Sequence, residues 1–122
     1  MKLRIHNNSI RLRLSIAEVE EIAKGNPVRE TLDFSGDGLN GFVYSLVPSR
    51  DIPGISVELM SNKLIVSLPK PMADEWATTA LVGLQNDPNQ KVAVFIEKDF
   101  QCLQKRPDED ESKYFPNPLD TQ

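Results

Sequence analysis

Met1-Lys-Leu-Arg-Ile-His-Asn-Asn-Ser-Ile-Arg-Leu-Arg-Leu14 is the stretch on which the fold turns. In Lys2–His6 and again in Ser9–Leu14 apolar and polar residues alternate, the period of a half-buried strand whose successive side chains point to opposite faces. Asn7 and Asn8 supply the turn between them. The two strands thus share one apolar face, Leu3, Ile5, Ile10, Leu12 and Leu14, suited to a core. Lys2, Arg4, His6, Ser9, Arg11 and Arg13 share the other. No carboxylate interrupts this second face within the segment, so a locally cationic surface is expected on a chain whose formal net charge is -4.

Beyond this ribbon the period changes to that of a helix. Ser15 and Glu18 have the spacing of a capping box, and Leu14 and Val19 that of a hydrophobic staple. Ile16, Val19, Ile22 and Ala23 form a narrow apolar stripe, Glu20 and Glu21 a solvated face, and Gly25 with Pro27 ends the helix. From Val28 to Leu68 the alternation is again that of strands. Val28–Phe34 and Phe42–Val47 are joined by the glycine-rich run 35–41; after a loop from Pro48 to Gly54, Ile55–Met60 and Lys63–Leu68 form a second hairpin around Ser61-Asn62. The run Asp33–Gly38 imitates the start of a calcium loop, but the twelfth position is Tyr44 where a bidentate glutamate is required, so a turn is expected.

Two prolines, Pro69 and Pro71, precede a second helix expected over 72–81, where Met72, Ala73, Trp76, Ala77, Ala80 and Leu81 recur at helical spacing. After a turn at 86–89, Val92–Ile96 is an all-apolar strand of the kind buried on both faces. No repeat and no domain boundary is visible. The expected fold is one α+β domain over 1–105, in the order ββαββββαβ, with a largely antiparallel curved sheet and two helices.

Residues 106–122 differ in character: three prolines, the acidic run Asp108-Glu109-Asp110-Glu111, and a net charge of -4 beyond Pro107. Such composition favours a solvated tail. Tyr114, Phe115 and Leu119 are apolar anchors that would let it fold back instead, its carboxylates neutralising the basic face of the opening ribbon.

Composition excludes several classes of function. An acidic chain is a poor general ligand for nucleic acid, whose affinity comes largely from phosphate neutralisation. No run approaches the roughly 20 apolar residues a membrane helix needs. With the single Cys102 no internal disulfide can form, which fits a reducing, cytoplasmic setting. His6 and Cys102 lack paired metal-ligand spacing, and the only histidine stands at the opposite end of the chain from Cys102, so a cysteine nucleophile is not expected. There is no glycine-rich phosphate cradle between a strand and a helix, and no cofactor is implied.

Arg4, the run Asn8–Leu14 with Glu18, Glu97–Leu103, Arg106, Glu109-Asp110 and Phe115-Pro116-Asn117-Pro118 together resemble a family of small uncharacterised bacterial proteins, a domain of unknown function. The resemblance covers both ends of the chain and is thinner between them. It implies no activity and no catalytic residue, but it does imply that the acidic tail is no accident.

What remains is Arg4, Arg11 and Arg13, with Lys2 and His6. Guanidiniums on adjacent strands can clamp a carboxylate or phosphate by paired hydrogen bonds, so these residues are the candidate anion site. The bland alternative is that they pair with Glu30, Glu58 or the tail and only keep a sheet face soluble. The leading expectation is a non-enzymatic binding or accessory protein whose partner is an anionic small molecule or an acidic protein segment. The rival is a small enzyme acting on a phosphorylated or carboxylated metabolite. A concave cavity would favour the enzyme and an open face the binding protein.

Overall fold

A computed structural model describes residues 1–100 of the 122-residue chain. Cys102, the acidic run and the question of whether the tail docks lie outside the described residues. The elements are β1 (Lys2–His6), β2 (Ser9–Leu14), α1 (Ile16–Ala23), β3 (Val28–Asp33), β4 (Gly41–Ser49), β5 (Ser56–Met60), β6 (Lys63–Pro69), α2 (Lys70–Thr78), β7 (Gly83–Gln85) and β8 (Ala93–Lys98). This is the expected single α+β domain and order, with one short strand, β7, added. The strands form two four-stranded sheets, β1-β2-β8-β7 and β3-β4-β6-β5. In each, two antiparallel hairpins are joined through a central parallel pair, β2 with β8 and β4 with β6.

That common pattern is an internal repeat, contrary to the expectation of none. β1, β2 and α1 start at Lys2, Ser9 and Ile16; β5, β6 and α2 start 54 residues later, at Ser56, Lys63 and Lys70. Each half is a ββαββ unit, and the first hairpin of one pairs with the last hairpin of the other. Hydrogen bonds repeat as well. Asn8 donates through Nδ2 to the Lys91 carbonyl and accepts at its own carbonyl from Ala93 N–H; Asn62 does the same with Gly41 and Val43. The turns agree too, with Asn7 (φ 53°) and Ser61 (φ 55°) both in the left-handed region. Asn8, Leu14, Glu21 and Ala23 match their counterparts Asn62, Leu68, Glu75 and Ala77, and almost nothing else does. What persisted is which positions are buried.

The inner faces meet in one apolar cluster. Ile10, Leu12, Leu14, Val94 and Ile96 come from the first sheet, Val28, Leu46, Leu64, Val66 and Leu68 from the second, and Val19, Ile22, Ala73 and Trp76 from the helices. Each large side chain so buried contributes roughly 1.5–3 kcal/mol. Ile5, expected in this core, is instead 62% exposed. It lies on the inner face but in an edge strand, where an open apolar groove of about 330 Å3, lined also by Ile10, Phe42, Leu59 and Leu64, separates the sheets.

Local signals explain the helix boundaries. The capping box at α1 forms: Ser15 Oγ accepts from Glu18 N–H at 3.3 Å, and Glu18 Oε1 accepts from Ser15 N–H at 2.9 Å. At its other end Gly25 (φ +90°) donates to the Ile22 carbonyl and Asn26 N–H to that of Glu21, a glycine-terminated cap. The second helix runs over 70–78 rather than 72–81. A proline in the first turn loses no hydrogen bond, so Pro71 is part of the helix. At the far end the hydroxyls of Thr78 and Thr79 donate to the carbonyls of Asp74 and Glu75, and Thr79 is extended. Pro48 lies within β4, not in a loop. The N–H groups of alternate residues from Val43 onward face β6, so the nitrogen of Pro48 faces the side where β3 has already ended at Val28 opposite Leu46. In the 34–40 turn, Asp33 accepts from the N–H groups of Ser35, Gly36 and Gly38, so its carboxylate is occupied by the backbone.

Glu18 also pairs with the Met1 amino group, which donates to Glu30 at 2.9 Å as well. Burial pushes the Glu18 carboxyl up, but the Met1 amino group and the Ser15 N–H outweigh it and hold it below its ordinary value. A depressed carboxyl stabilises the fold above its unfolded pKa, near 4.5, and that stability is lost as pH falls through the folded value. Glu18→Gln retains a capping side chain without the charge. It is expected to cost about 1 kcal/mol at pH 7 and to flatten the acid limb of the stability profile, as followed by urea unfolding between pH 7 and pH 3.

Candidate functional site

Antiparallel pairing of β1 with β2 sets Arg4 opposite Arg11 and Lys2 opposite Arg13. Directly opposed residues in such a ladder lie about 5 Å apart at Cβ, so four cations share one small area of the outer face. Together with Leu3 these four line an open hollow of about 180 Å3. The geometry brings Lys2, Arg4, Arg11 and Arg13 together. His6 is at the hairpin turn, where its Nε2 lies 3.3 Å from Asn7 Nδ2, and it does not line the hollow.

Three further residues, not anticipated from sequence, complete this face. Parallel pairing of β2 with β8 aligns Arg11 with Phe95, Arg13 with Glu97 and Leu14 with Lys98. The Arg11 guanidinium carbon stands 4.6 Å from the Phe95 ring centroid, a cation–π contact. Glu97 pairs with Arg11 and, at 3.4 Å, with Nε of Arg13. Asp99 forms an ion pair with Lys2 Nζ at 2.9 Å. Glu30 and Glu58, the partners suggested by sequence, pair with none of the arginines among the described residues; Glu30 is at the Met1 amino group and Glu58 in the other sheet. The sequence signals for Glu97 are its position as the first charge after the apolar run 92–96 and its place in the Glu97–Leu103 run of the resemblance; neither names a partner.

One carboxylate therefore serves two arginines, and Arg4 has no ion pair among the described residues. Lys2, Arg4, Arg11 and Arg13 against Glu97 and Asp99 leave the face cationic. Arg11 and Arg13 retain 34% and 46% exposure of their side chains, so guanidinium N–H groups remain open to a second acceptor. Such a surface can hold an anion. Among the described residues there is no cluster of three or more metal-binding side chains, and no helix is long and apolar enough to cross a membrane. Trp76, the one tryptophan, is fully buried and donates through Nε1 to the Val82 carbonyl at 3.0 Å, a core role.

Residues 1–119 match a family of unknown function, DUF7009. No curated protein and no solved structure matches the chain.

Proposed function

We propose that this chain, which belongs to that family of unknown function, is a binding or accessory protein whose basic sheet face engages an anionic partner. One observation carries the proposal: the repeat provides its own control. The outer face of the second sheet is built at equivalent positions, yet Ser56, Glu58, Ile65 and Ser67 stand there where Lys2, Arg4, Arg11 and Arg13 stand in the first. An outer sheet face of this fold is thus built without a cationic cluster at these positions. Nor does stability call for one, since exposed ion pairs contribute about 0–1 kcal/mol each.

The partner is a carboxylate or phosphate, carried by a small molecule or an acidic protein segment, for which paired guanidiniums are suited. Nucleic acid is disfavoured by the acidity of the whole chain. The proposed setting is a bacterial cytoplasm, where Cys102 would stay a thiol. A binding role is favoured over an enzyme because the hollow, at about 180 Å3, is open and smaller than the roughly 300 Å3 at which small-molecule sites begin.

Calorimetric titration with inorganic pyrophosphate and with a tri-glutamate peptide tests this. The double variant Arg11→Ala, Arg13→Ala is expected to weaken binding of whichever anion is taken up by about tenfold or more, since a charged hydrogen bond is worth roughly 1.5–3 kcal/mol. Its melting temperature should shift little. Lys63→Ala, on the other sheet, should leave binding unchanged. Equal affinity in the wild type and the double variant would remove the arginines from the site.

A further inference from the structure

We propose that the acidic run Asp108–Glu111 of the same chain is a built-in competitor for the basic face, docking on it and yielding only to an external anion. This rests on the anion-binding reading and adds how that site is regulated. The first argument is where the described chain ends. Asp99 N–H donates to the Leu14 carbonyl at 2.8 Å while its carboxylate holds Lys2, so the described residues end at the rim of the face, beside Lys2 and Arg13. From Asp99 to Asp108 is nine residues, an extended reach of roughly 30 Å. The face itself spans three cross-strand rows, roughly 7 Å apart along the strand, on strands about 5 Å apart. Every basic residue lies within reach.

Charge is the second argument. Up to Pro107 the chain has thirteen basic and thirteen acidic side chains, so the whole net charge of -4 lies beyond it. A neutral body with a cationic face is joined to a tail carrying four consecutive carboxylates. The chain already begins this arrangement as it leaves β8: Glu97 lies on Arg11 and Arg13, and Asp99 on Lys2. The family match, which runs to residue 119, includes the acidic run. A short tether holds a segment near its site at an effective concentration of order millimolar, so contacts too weak to bind in trans suffice. Any external anion then binds with its affinity reduced by the occupancy of the tail.

The test uses the full chain with Asp108→Asn, Glu109→Gln, Asp110→Asn and Glu111→Gln, which removes the charges and keeps the length. In 1H–15N spectra the Nε–Hε cross-peaks of Arg4, Arg11 and Arg13 should move relative to wild type, while that of Arg29 on the second sheet stays. The affinity for pyrophosphate should rise by about tenfold, and the difference should shrink in high salt. Arginine cross-peaks that coincide in the two proteins would overturn the proposal, as would a shift with no gain in affinity for a pyrophosphate that binds. If pyrophosphate binds both proteins equally, the site stands and the competitor falls. If it binds neither but the cross-peaks move, the tail contact stands and the external ligand must be sought elsewhere.

Discussion

Trp76→Ala is expected to remove about 3–5 kcal/mol from the stability of the fold, the range for deleting a fully buried large aromatic side chain. Trp76 is fully buried at the helix position equivalent to Ile22, which is also fully buried, so each half contributes one such residue to the shared core. It is also a tie. The Val82 carbonyl that accepts from the Trp76 indole also accepts from Lys98 N–H at 3.0 Å, joining α2, the approach to β7 and the end of β8. A domain with a total stability of roughly 5–15 kcal/mol has little left after such a loss. Trp76→Phe retains most of the apolar area, and Val82 keeps its second donor, so about 1–2 kcal/mol is expected there. Urea unfolding followed by far-UV circular dichroism measures both. A cost below about 1 kcal/mol for Trp76→Ala would be incompatible with the core placement of the residue. Because β8 also presents Phe95 and Glu97 to the basic face, any anion binding at the proposed site should fall in Trp76→Ala in step with the folded fraction.

The opening ribbon and the first helix could be read from sequence because their signals are local. Alternation assigns Lys2, Arg4, Arg11 and Arg13 to one face, and two residues separated by three positions suffice for the Ser15–Glu18 box. Alternation names a face, however, and not its neighbours. Glu97 reaches the arginines, and Asp99 reaches Lys2, through a parallel pairing whose partner residues stand 84 positions apart in the chain, and no nearby residue announces that register. The same limit hid the repeat: the halves share buried positions while the outer positions have diverged, Arg11 against Ile65 and Arg4 against Glu58. Ile5 shows the converse error. Its face was right, but an edge strand bordering an open groove does not bury all that points inward. At α2 the fault was in the punctuation, since Pro69 and Pro71 look like a loop until the first helical turn is recognised as tolerant of proline.

Asn86→Leu is expected to cost about 2–4 kcal/mol, although it replaces a polar residue with an apolar one of the same branching. Asn86 is buried, and its side chain closes the 87–92 loop by two bonds to the far end: Nδ2 donates to the Val92 carbonyl at 2.9 Å and Oδ1 accepts from Val94 N–H at 2.9 Å. Leucine leaves both backbone groups without a partner, and the penalty for each is roughly 1–3 kcal/mol. In the first half the position facing Tyr44 is Glu30, which turns to the Met1 amino group, so this closure belongs to the second half alone. Asn86→Asp separates the two bonds. The carboxylate can still accept from Val94, but it has nothing to donate to Val92 until it is protonated. Burial then raises its folded pKa above the unfolded one, so the variant should lose stability as pH rises above about 4 and recover it on acidification, opposite in sign to the behaviour of Glu18. Melting temperatures at pH 4 and pH 7 for wild type and Asn86→Asp check the sign directly. The consequence reaches the face, because the loop carries Lys91, whose carbonyl accepts from Asn8 just before Ala93 N–H donates to the Asn8 carbonyl and β8 enters its register with β2. A slipped β8 would carry Glu97 away from Arg11 and Arg13, and Asn86→Leu should therefore move the cross-peaks of those two arginines even in molecules that remain folded.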